Sequence, residues 1–137
     1  MLIADGMEFS SKQELSLQFG HLVTDAVISR GSAGMRLFLA GRGDVDVVLD
    51  QVEVEWLRET LLAAAAACAS GEHRFCGTLL SPQTAESPGD SAHAVIAIVA
   101  APRAVGLSID TTDTGAAEAW MDATSAHRLC DALVPRT

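Results

Sequence analysis

In the first half of this 137-residue chain, two apolar segments of strand length flank a short turn that contains glycine. Residues 35–39 and 45–49 are rich in leucine and valine, and Gly41 and Gly43 lie between them. Glycine readily adopts the positive φ that tight hairpin turns require. The pattern predicts two antiparallel strands joined by a hairpin.

A helix is predicted directly after this hairpin. Asp50 stands three residues before Glu53, which is an acidic variant of the capping box found at helix starts. The apolar residues that follow recur at helical spacing and are Val54, Leu57, Leu61, Ala65 and Cys68. We therefore expect a helix over about residues 51–70, ended by Gly71.

The second half of the chain predicts a similar order of elements. Residues 94–99 and 104–109 form apolar β-type segments, and residues 117–121 predict a further short strand. The two longer segments show little polar alternation, which predicts that at least one strand is buried on both faces. Residues 124–133 predict a last helix, closed by Pro135.

A shift of 72 positions brings the predicted helices of the two halves into one register. The matched pairs are Asp50 with Asp122, Leu57 with Leu129, and Leu61 with Leu133. A pseudo-duplicated unit of strands plus helix would explain this match. Packing alone also makes amphipathic helices resemble one another, so the shift does not establish a duplication.

Three segments are less distinctive. Residues 73–80 could form a strand that joins the halves, and residues 81–91, with two prolines, predict an exposed loop. Residues 11–14 fit a capping box before a helical stripe, but the same region also alternates as a strand would. We favour strands over residues 21–30, and the choice between helix and strand for residues 11–28 stays open.

Together these elements predict one α+β domain over residues 1–137. We expect an antiparallel or mixed sheet of five to seven strands, with the two main helices packed on one face. The predicted core residues are Leu37, Leu39, Val47, Leu57, Leu61, Ile96, Ile98, Leu107, Leu129 and Leu133.

The charge balance excludes several classes of partner. The chain carries nine Lys and Arg against 18 Asp and Glu, which gives a formal net charge of −9. Phosphate binding needs clustered cations, so we expect no nucleic-acid partner, whereas a basic protein surface would be attracted. The longest uncharged apolar stretch, residues 61–71, is about half of a membrane span. We therefore expect no membrane partner.

The cysteine count and the first residues bear on the compartment. No basic segment precedes an apolar one at the start, and three cysteines are an odd number. We expect a cytoplasmic protein with free, mostly buried thiols, and its composition is typical of a GC-rich bacterial genome. An open sheet edge would allow a homodimer, and the sequence leaves this undecided.

The most specific chemical pattern pairs histidine with cysteine. His73 with Cys76, and His127 with Cys130, share a spacing that could supply four ligands to zinc or a Cys/His nucleophilic site. On a strand, however, His73 and Cys76 would point to opposite faces, and Cys130 already has a core position on its helix. We favour packing roles and predict no metal, no cofactor and no catalytic residue.

The acidic residues also admit two interpretations. Alternation places Asp44, Asp46 and Asp50 on one side of a strand, where they could bind a cation. A solvated face that ends in a helix N-cap explains all three with fewer assumptions. No phosphate-binding loop, dinucleotide fingerprint, nucleophile elbow or zincin motif occurs, so the motifs give an enzyme no support.

A partner surface is predicted on the first helix. Trp56 lies one position off the buried stripe, at the edge where large aromatic residues often contact partners. Packing at the helix boundary is the preferred explanation for Trp56 itself. With Glu55 and Glu59 it forms the predicted partner-binding site.

In size, acidity and mixed sheet-helix layout, the chain resembles secretion-chaperone folds and bacterial toxin-immunity proteins. The resemblance implies an accessory or inhibitory domain that binds a more basic protein without catalysing a reaction. The alternative is a small-ligand-binding or catalytic domain that uses the Cys/His pairs.

Overall fold

The structure of the chain is a computed structural model that describes residues 9–31, 34–81, 94–111 and 115–134. Within these ranges, eight strands and two helices follow one another along the chain. Their bounds are β1 (Phe9–Phe19), β2 (Leu22–Gly31), β3 (Met35–Gly41), β4 (Gly43–Leu49), α1 (Gln51–Ala69), β5 (Arg74–Ser81), β6 (Ala94–Ala101), β7 (Ala104–Thr111), β8 (Ala116–Met121) and α2 (Ala123–Ala132). The predicted α+β class is confirmed.

The strands form two antiparallel sheets. One sheet has the order β1-β2-β3-β4 and the other has the order β5-β6-β7-β8, so each strand pairs with its neighbour in sequence. The prediction of one sheet with five to seven strands is wrong, because β1 and β2 complete a four-stranded sheet with the predicted hairpin. The mixed-sheet alternative is wrong as well, since the pairings between described strands are all antiparallel.

The N-terminal third is a β-hairpin. Leu17 of β1 pairs with Thr24 of β2, both are buried, and the chain turns at Gly20, whose φ is 59°. This confirms the strands expected over residues 21–30. The alternative prediction of a helix that starts at residues 11–14 is wrong. Alternate residues of β1 and β2 point to the same side of the hairpin, and that side faces the core.

Both helices contact the sheet of the other half. α1 follows β4 of the first sheet but packs mainly on β5, β6 and β7 of the second, whereas α2 follows β8 and contacts β1 of the first sheet as well as β7 and β8 of its own. The helices also contact each other. The expected placement of both helices on one face of one sheet is therefore wrong, since each half covers the apolar inner face of the other.

Both helices begin at the aspartates that the sequence indicates. Asp50 Oδ1 accepts a hydrogen bond from the Glu53 amide at 2.8 Å, and Glu53 Oε1 accepts one from the Asp50 amide at 2.9 Å. Asp122 Oδ1 accepts from the Ser125 amide at 2.7 Å. Each carboxylate thereby satisfies an amide that has no partner within the helix.

The predicted core is confirmed, since all ten residues named above are at most 1% exposed. In β7 residues 104–107 are buried, so the first half of this strand is enclosed on both faces as expected, whereas Asp110 near its end is exposed. The predicted loop over residues 81–91 lies outside the described residues except for Ser81, which ends β5. In the part of the chain that the structure describes, no helix is long and apolar enough to cross a membrane.

The two halves approach each other closely at Gly43 and Gly115, which are also 72 residues apart. A Cβ atom on Gly43, whose φ is 85°, would overlap the carbonyl oxygen of Ala116. A Cβ atom on Gly115, whose φ is 109°, would lie 2.9 Å from the carbonyl oxygen of Asp44. The contact is reciprocal, because each glycine faces the residue that follows the other.

We expect Gly43→Ala to destabilise the fold by about 3 kcal/mol or more, because it combines backbone strain with a clash against backbone. Gly20→Ala is the matched control: its φ is also positive, but a Cβ there meets no atom within 4 Å. It should cost only about 1 to 2 kcal/mol. Urea unfolding of both variants measures the difference. Equal losses would contradict a close approach of the halves at Gly43.

Candidate functional site

The outer face of the first sheet carries charged and polar residues. Arg36 of β3 and Asp46 of β4 lie on it, and Arg36 Nε donates a hydrogen bond to Asp46 Oδ1 at 2.8 Å. Asp44 is exposed at the start of β4, and Asp50 caps α1 as described above. The interpretation of these aspartates as an outer strand face that ends in an N-cap agrees with this arrangement.

The outer face of the second sheet exposes several large apolar residues among polar ones. Leu80 of β5 pairs with Val95 of β6, and these side chains are 61% and 40% exposed. Phe75, which is 65% exposed, pairs with Val99 on the same face. A β-bulge between Phe75 and Gly77 shifts the alternation of β5, so that Phe75 and Leu80 share one face although they are five residues apart.

Trp120 of β8 extends this face across the sheet. A Cβ atom on Gly106 of β7 would lie 2.8 Å from the Trp120 ring and 3.0 Å from Val99, so only glycine leaves room for the indole. Trp120 Nε1 donates a hydrogen bond to Glu118 Oε1 at 3.1 Å. We call Phe75, Leu80, Val95, Val99 and Trp120 the apolar face.

The predicted partner-binding residues lie on the other side of this sheet. Trp56 is half-buried and packs over Gly77, where a Cβ atom would lie 3.1 Å from the indole. Gly77 pairs with Ile98, which is fully buried, so Trp56 lies on the inner side of the sheet. Glu55 and Glu59 are exposed on α1. The structure therefore does not bring these three residues together with the apolar face.

A cleft of about 390 Å³ lies beside Glu55 and is lined by residues at the end of β2, the start of β3, the start of α1 and the end of α2. Its polar lining residues are Arg30, Gln51, Glu55 and Arg58. Arg30 Nη2 donates hydrogen bonds to the carbonyl oxygen of Ala132 and, at 3.4 Å, to Gln13 Oε1. The cleft is thus built from both halves of the chain, and its lining includes two arginines.

The predicted His/Cys pairs occupy unequal environments. His73 is exposed ahead of β5 and Cys76 is half-buried at the bulge, whereas His127 is exposed on α2. Cys130 is buried, and its thiol donates to the carbonyl oxygen of Arg58 at 3.7 Å. Across residues 9–31, 34–81, 94–111 and 115–134, no group of three or more His, Cys, Asp or Glu is placed to hold a metal ion.

The three thiols are held in the protonated form. Burial raises the pKa of Cys130 to about 11, and the nearby Asp131 carboxylate raises it as well. Burial also raises the pKa of Cys68 and of Cys76. A nucleophilic cysteine needs a lowered pKa, so these shifts run against thiolate chemistry at neutral pH.

We expect the folded protein to lose roughly 2 kcal/mol of stability as pH rises from about 9 to about 11. The pKa of Cys130 is raised above its ordinary value of 9.0, so its contribution is complete below pH 9 and is lost as pH passes through about 11. The chain has no tyrosine. Burial also raises the pKa of Cys68 and of Cys76, so these thiols contribute to the loss in the same direction.

Urea unfolding at intervals between pH 8 and pH 11 measures this slope. Cys130→Ala lowers stability at every pH but should flatten the slope. A slope that is as steep in Cys130→Ala as in the unaltered protein would contradict the assignment to this thiol.

Two sets of surface residues were missed by sequence reasoning. The lack of polar alternation in residues 94–99 signals an apolar outer face, but it does not tell whether another element covers that face. Arg30 and Arg58 are 28 positions apart and meet at the cleft only through the fold. The low number of cations in the sequence was the feature that could have drawn attention to Arg30 and Arg58.

Comparison of the chain with protein-family models and with curated proteins finds no match. The function is therefore argued from the chemistry of the apolar face, the α1 surface and the cleft.

Proposed function

We propose that the protein is a non-enzymatic, protein-binding accessory or inhibitory domain that docks on a more basic partner. The observation that carries the proposal is the apolar face, on which Phe75, Leu80 and Val95 are 65%, 61% and 40% exposed. Large apolar residues exposed near one another on one face often mark sites where proteins meet. The outer face of the first sheet carries the Arg36–Asp46 pair, although Val27 and Phe38 lie there as well.

Charge favours a basic partner. Asp110 of β7 pairs with Val95, so a carboxylate stands beside the apolar face, and Asp110 is exposed. Glu118 is half exposed on the same face, and its Oε1 atom lies 3.7 Å from Arg42 Nη1. With a net charge of −9 over the chain, a basic partner would be attracted at long range and would find carboxylates at the docking site.

The exposed side of α1 is a second candidate surface. Val52, Glu55, Glu59 and Leu62 follow one another at helical spacing, and Val52 is 76% exposed. Exposed Val52 next to the carboxylates of Glu55 and Glu59 could contact a basic partner through both apolar and charged groups. We propose Glu55 and Glu59 as secondary contacts, with Trp56 contributing the edge of its ring that remains exposed.

A ligand-binding or catalytic domain that uses the Cys/His pairs is the alternative function. Among the described residues, those that line the cleft include neither histidine nor cysteine. Variants of Cys76 and His73 in the experiment below test this alternative.

We place the protein in a bacterial cytoplasm on the basis of its composition and its three free thiols. We propose neither a nucleic-acid nor a membrane partner.

We expect the double variant Phe75→Ser, Leu80→Ser to lose capture of its partner by at least tenfold, because it removes the two most exposed side chains of the apolar face. Capture is measured by cross-linking in an extract of the native host, followed by mass spectrometry. The control is Leu22→Ser, Val23→Ser, which removes two large apolar residues that are 42% and 51% exposed on the first sheet. The control should capture the same protein as the unaltered chain.

Further variants separate the surfaces and the alternative function. Glu55→Lys with Glu59→Lys should weaken capture less than the double serine variant does, and raised salt should weaken it in the unaltered chain. Cys76→Ser and His73→Ala should leave capture and biological activity intact. Loss of activity in Cys76→Ser, with the fold retained, would establish the alternative. Capture that is equal in the double serine variant and its control would exclude the apolar face.

A further inference from the structure

The strand β5 lies at an edge of the second sheet. Among the described residues it pairs with β6 alone, and no hydrogen bond from an element other than β6 reaches the backbone of residues 77–81. In an antiparallel sheet, every second residue of an edge strand points its N–H and C=O groups away from its neighbour. One side of β5 is therefore able to pair with a further strand.

The edge strand of the first sheet, β1, is protected. Arg128 Nη2 donates a hydrogen bond to the carbonyl oxygen of Ser16 at 2.9 Å, so α2 covers part of this edge. Lys12 and Glu14 are exposed further along β1, and charged side chains on an edge strand oppose pairing with another chain. The strand β1 is therefore poorly suited to pair with a second chain.

Residues 77–81 of β5 lack both kinds of protection within the described part of the chain. The charged residue of β5 is Arg74, which precedes the bulge, and β6 contains no charged residue. Beyond the bulge, residues 77–81 pair with residues 94–98 without a further irregularity. Leu80 lies in this regular stretch and is 61% exposed. An uncharged, regular edge with an exposed leucine is the kind of edge that pairs with another strand.

The flank of α1 above this edge is uncharged as well. A Cβ atom on Gly77 would lie 3.1 Å from the Trp56 ring and 3.5 Å from Thr60 Cγ2, so these two side chains lie over β5. Ala63 follows Thr60 by three residues, on the same side of the helix, and is exposed. A second chain that approaches the edge of β5 would therefore meet uncharged residues of the helix too.

The outer-face carboxylates lie far from this edge, which matters because each copy of the chain has a net charge of −9. Asp110 lies on β7 and Glu118 on β8. Strands in a sheet are about 4.8 Å apart, so the β7 strands of two copies joined at β5 would be about 24 Å apart. The Debye length at physiological salt is about 8 Å, so these carboxylates are largely screened from those of the other copy. Two acidic copies can therefore meet at the edge of β5.

We propose that two copies of the chain pair antiparallel through residues 77–81 of β5, about a two-fold axis, and form one continuous eight-stranded sheet. Identical edges are self-complementary in this arrangement, because each copy offers the other the same outward N–H and C=O groups. Leu79 lies at the axis, so Leu80 of one copy lies diagonally across from Leu80 of the other on the outer face, within contact distance. The dimer brings the apolar faces of two copies side by side, but it does not depend on the function proposed above.

Sedimentation velocity in a reducing buffer tests the proposal, since the reductant prevents a disulfide between copies through Cys76. We expect the mass to change from that of one chain to that of two chains between about 5 µM and about 500 µM protein. Leu80→Lys places like charges near the axis and should weaken dimerisation at least tenfold. Val95→Lys is the matched control, because Val95 pairs with Leu80 and is 40% exposed on the same face but lies one strand further from the edge. It makes the same change in net charge and should leave the dissociation constant within about threefold.

Amide hydrogen exchange, followed by mass spectrometry, distinguishes pairing of the edges from contact through the outer face. Pairing should slow the exchange of about half of the amides in residues 77–81, because these amides gain carbonyl partners in the dimer. Contact through the outer face would leave them unprotected and would make Val95→Lys as disruptive as Leu80→Lys. Either of these results, or a chain that stays monomeric up to about 500 µM, would overturn the proposal. A monomeric chain would leave the proposed function standing, because capture of a partner is measured separately.

Discussion

The packing of each helix against the sheet of the other half is the contact on which the rest of the structure depends. α1 leaves the first sheet at β4 and covers the inner side of β5, β6 and β7, while the inner side of the first sheet is covered by β8 and, at β1, by α2. Most of each inner sheet face is therefore buried against elements of the other half. The residues that fill the space between the sheets include Leu57 of α1 and Leu129 of α2, both fully buried. Much of the hydrophobic free energy is thus gained only when both halves are folded, which favours cooperative folding.

The contact of α1 with the second sheet explains why Trp56 packs against a strand and exposes little of its ring. The 72-residue shift places Trp56 of α1 at the position of Arg128 in α2. Arg128 Nη2 donates a hydrogen bond to the carbonyl oxygen of Ser16, and Ser125 Oγ accepts one from the Gln18 amide, so the start of α2 closes the outer edge of β1. At the equivalent position, Trp56 instead lays its ring on Gly77. One helix thus meets its edge strand through polar groups and the other through an aromatic ring. The second arrangement requires glycine in the strand beneath the ring.

The sequence predicted those parts of the fold that depend on local spacing. Asp50 and Asp122 cap helices because a carboxylate three residues before a free amide needs no distant partner, and Leu57 and Leu61 are buried because a helix repeats every 3.6 residues. The division into two sheets was not predictable in this way, because it depends on which strands pair across the whole chain. Alternation shows which residues of β6 share a face, but a sequence does not show whether that face meets a helix or solvent. For the same reason the apolar face and the cleft had no local signature.

The two halves have the same order of elements but different outer surfaces, and this difference is the best guide to function. Stability alone asks for apolar inner faces and places no demand for apolar residues on an outer face, where Leu80 is 61% and Val95 is 40% exposed. The first sheet comes closer to that minimal requirement, with the Arg36–Asp46 pair on its outer side next to Val27 and Phe38. The second sheet departs from it, and the bulge at Phe75 together with Gly106 under Trp120 adds two backbone features that enlarge the apolar area. Features that cost local regularity and expose apolar surface add little to the stability of the isolated chain, and this is the physical reason for which we propose a protein partner at this face.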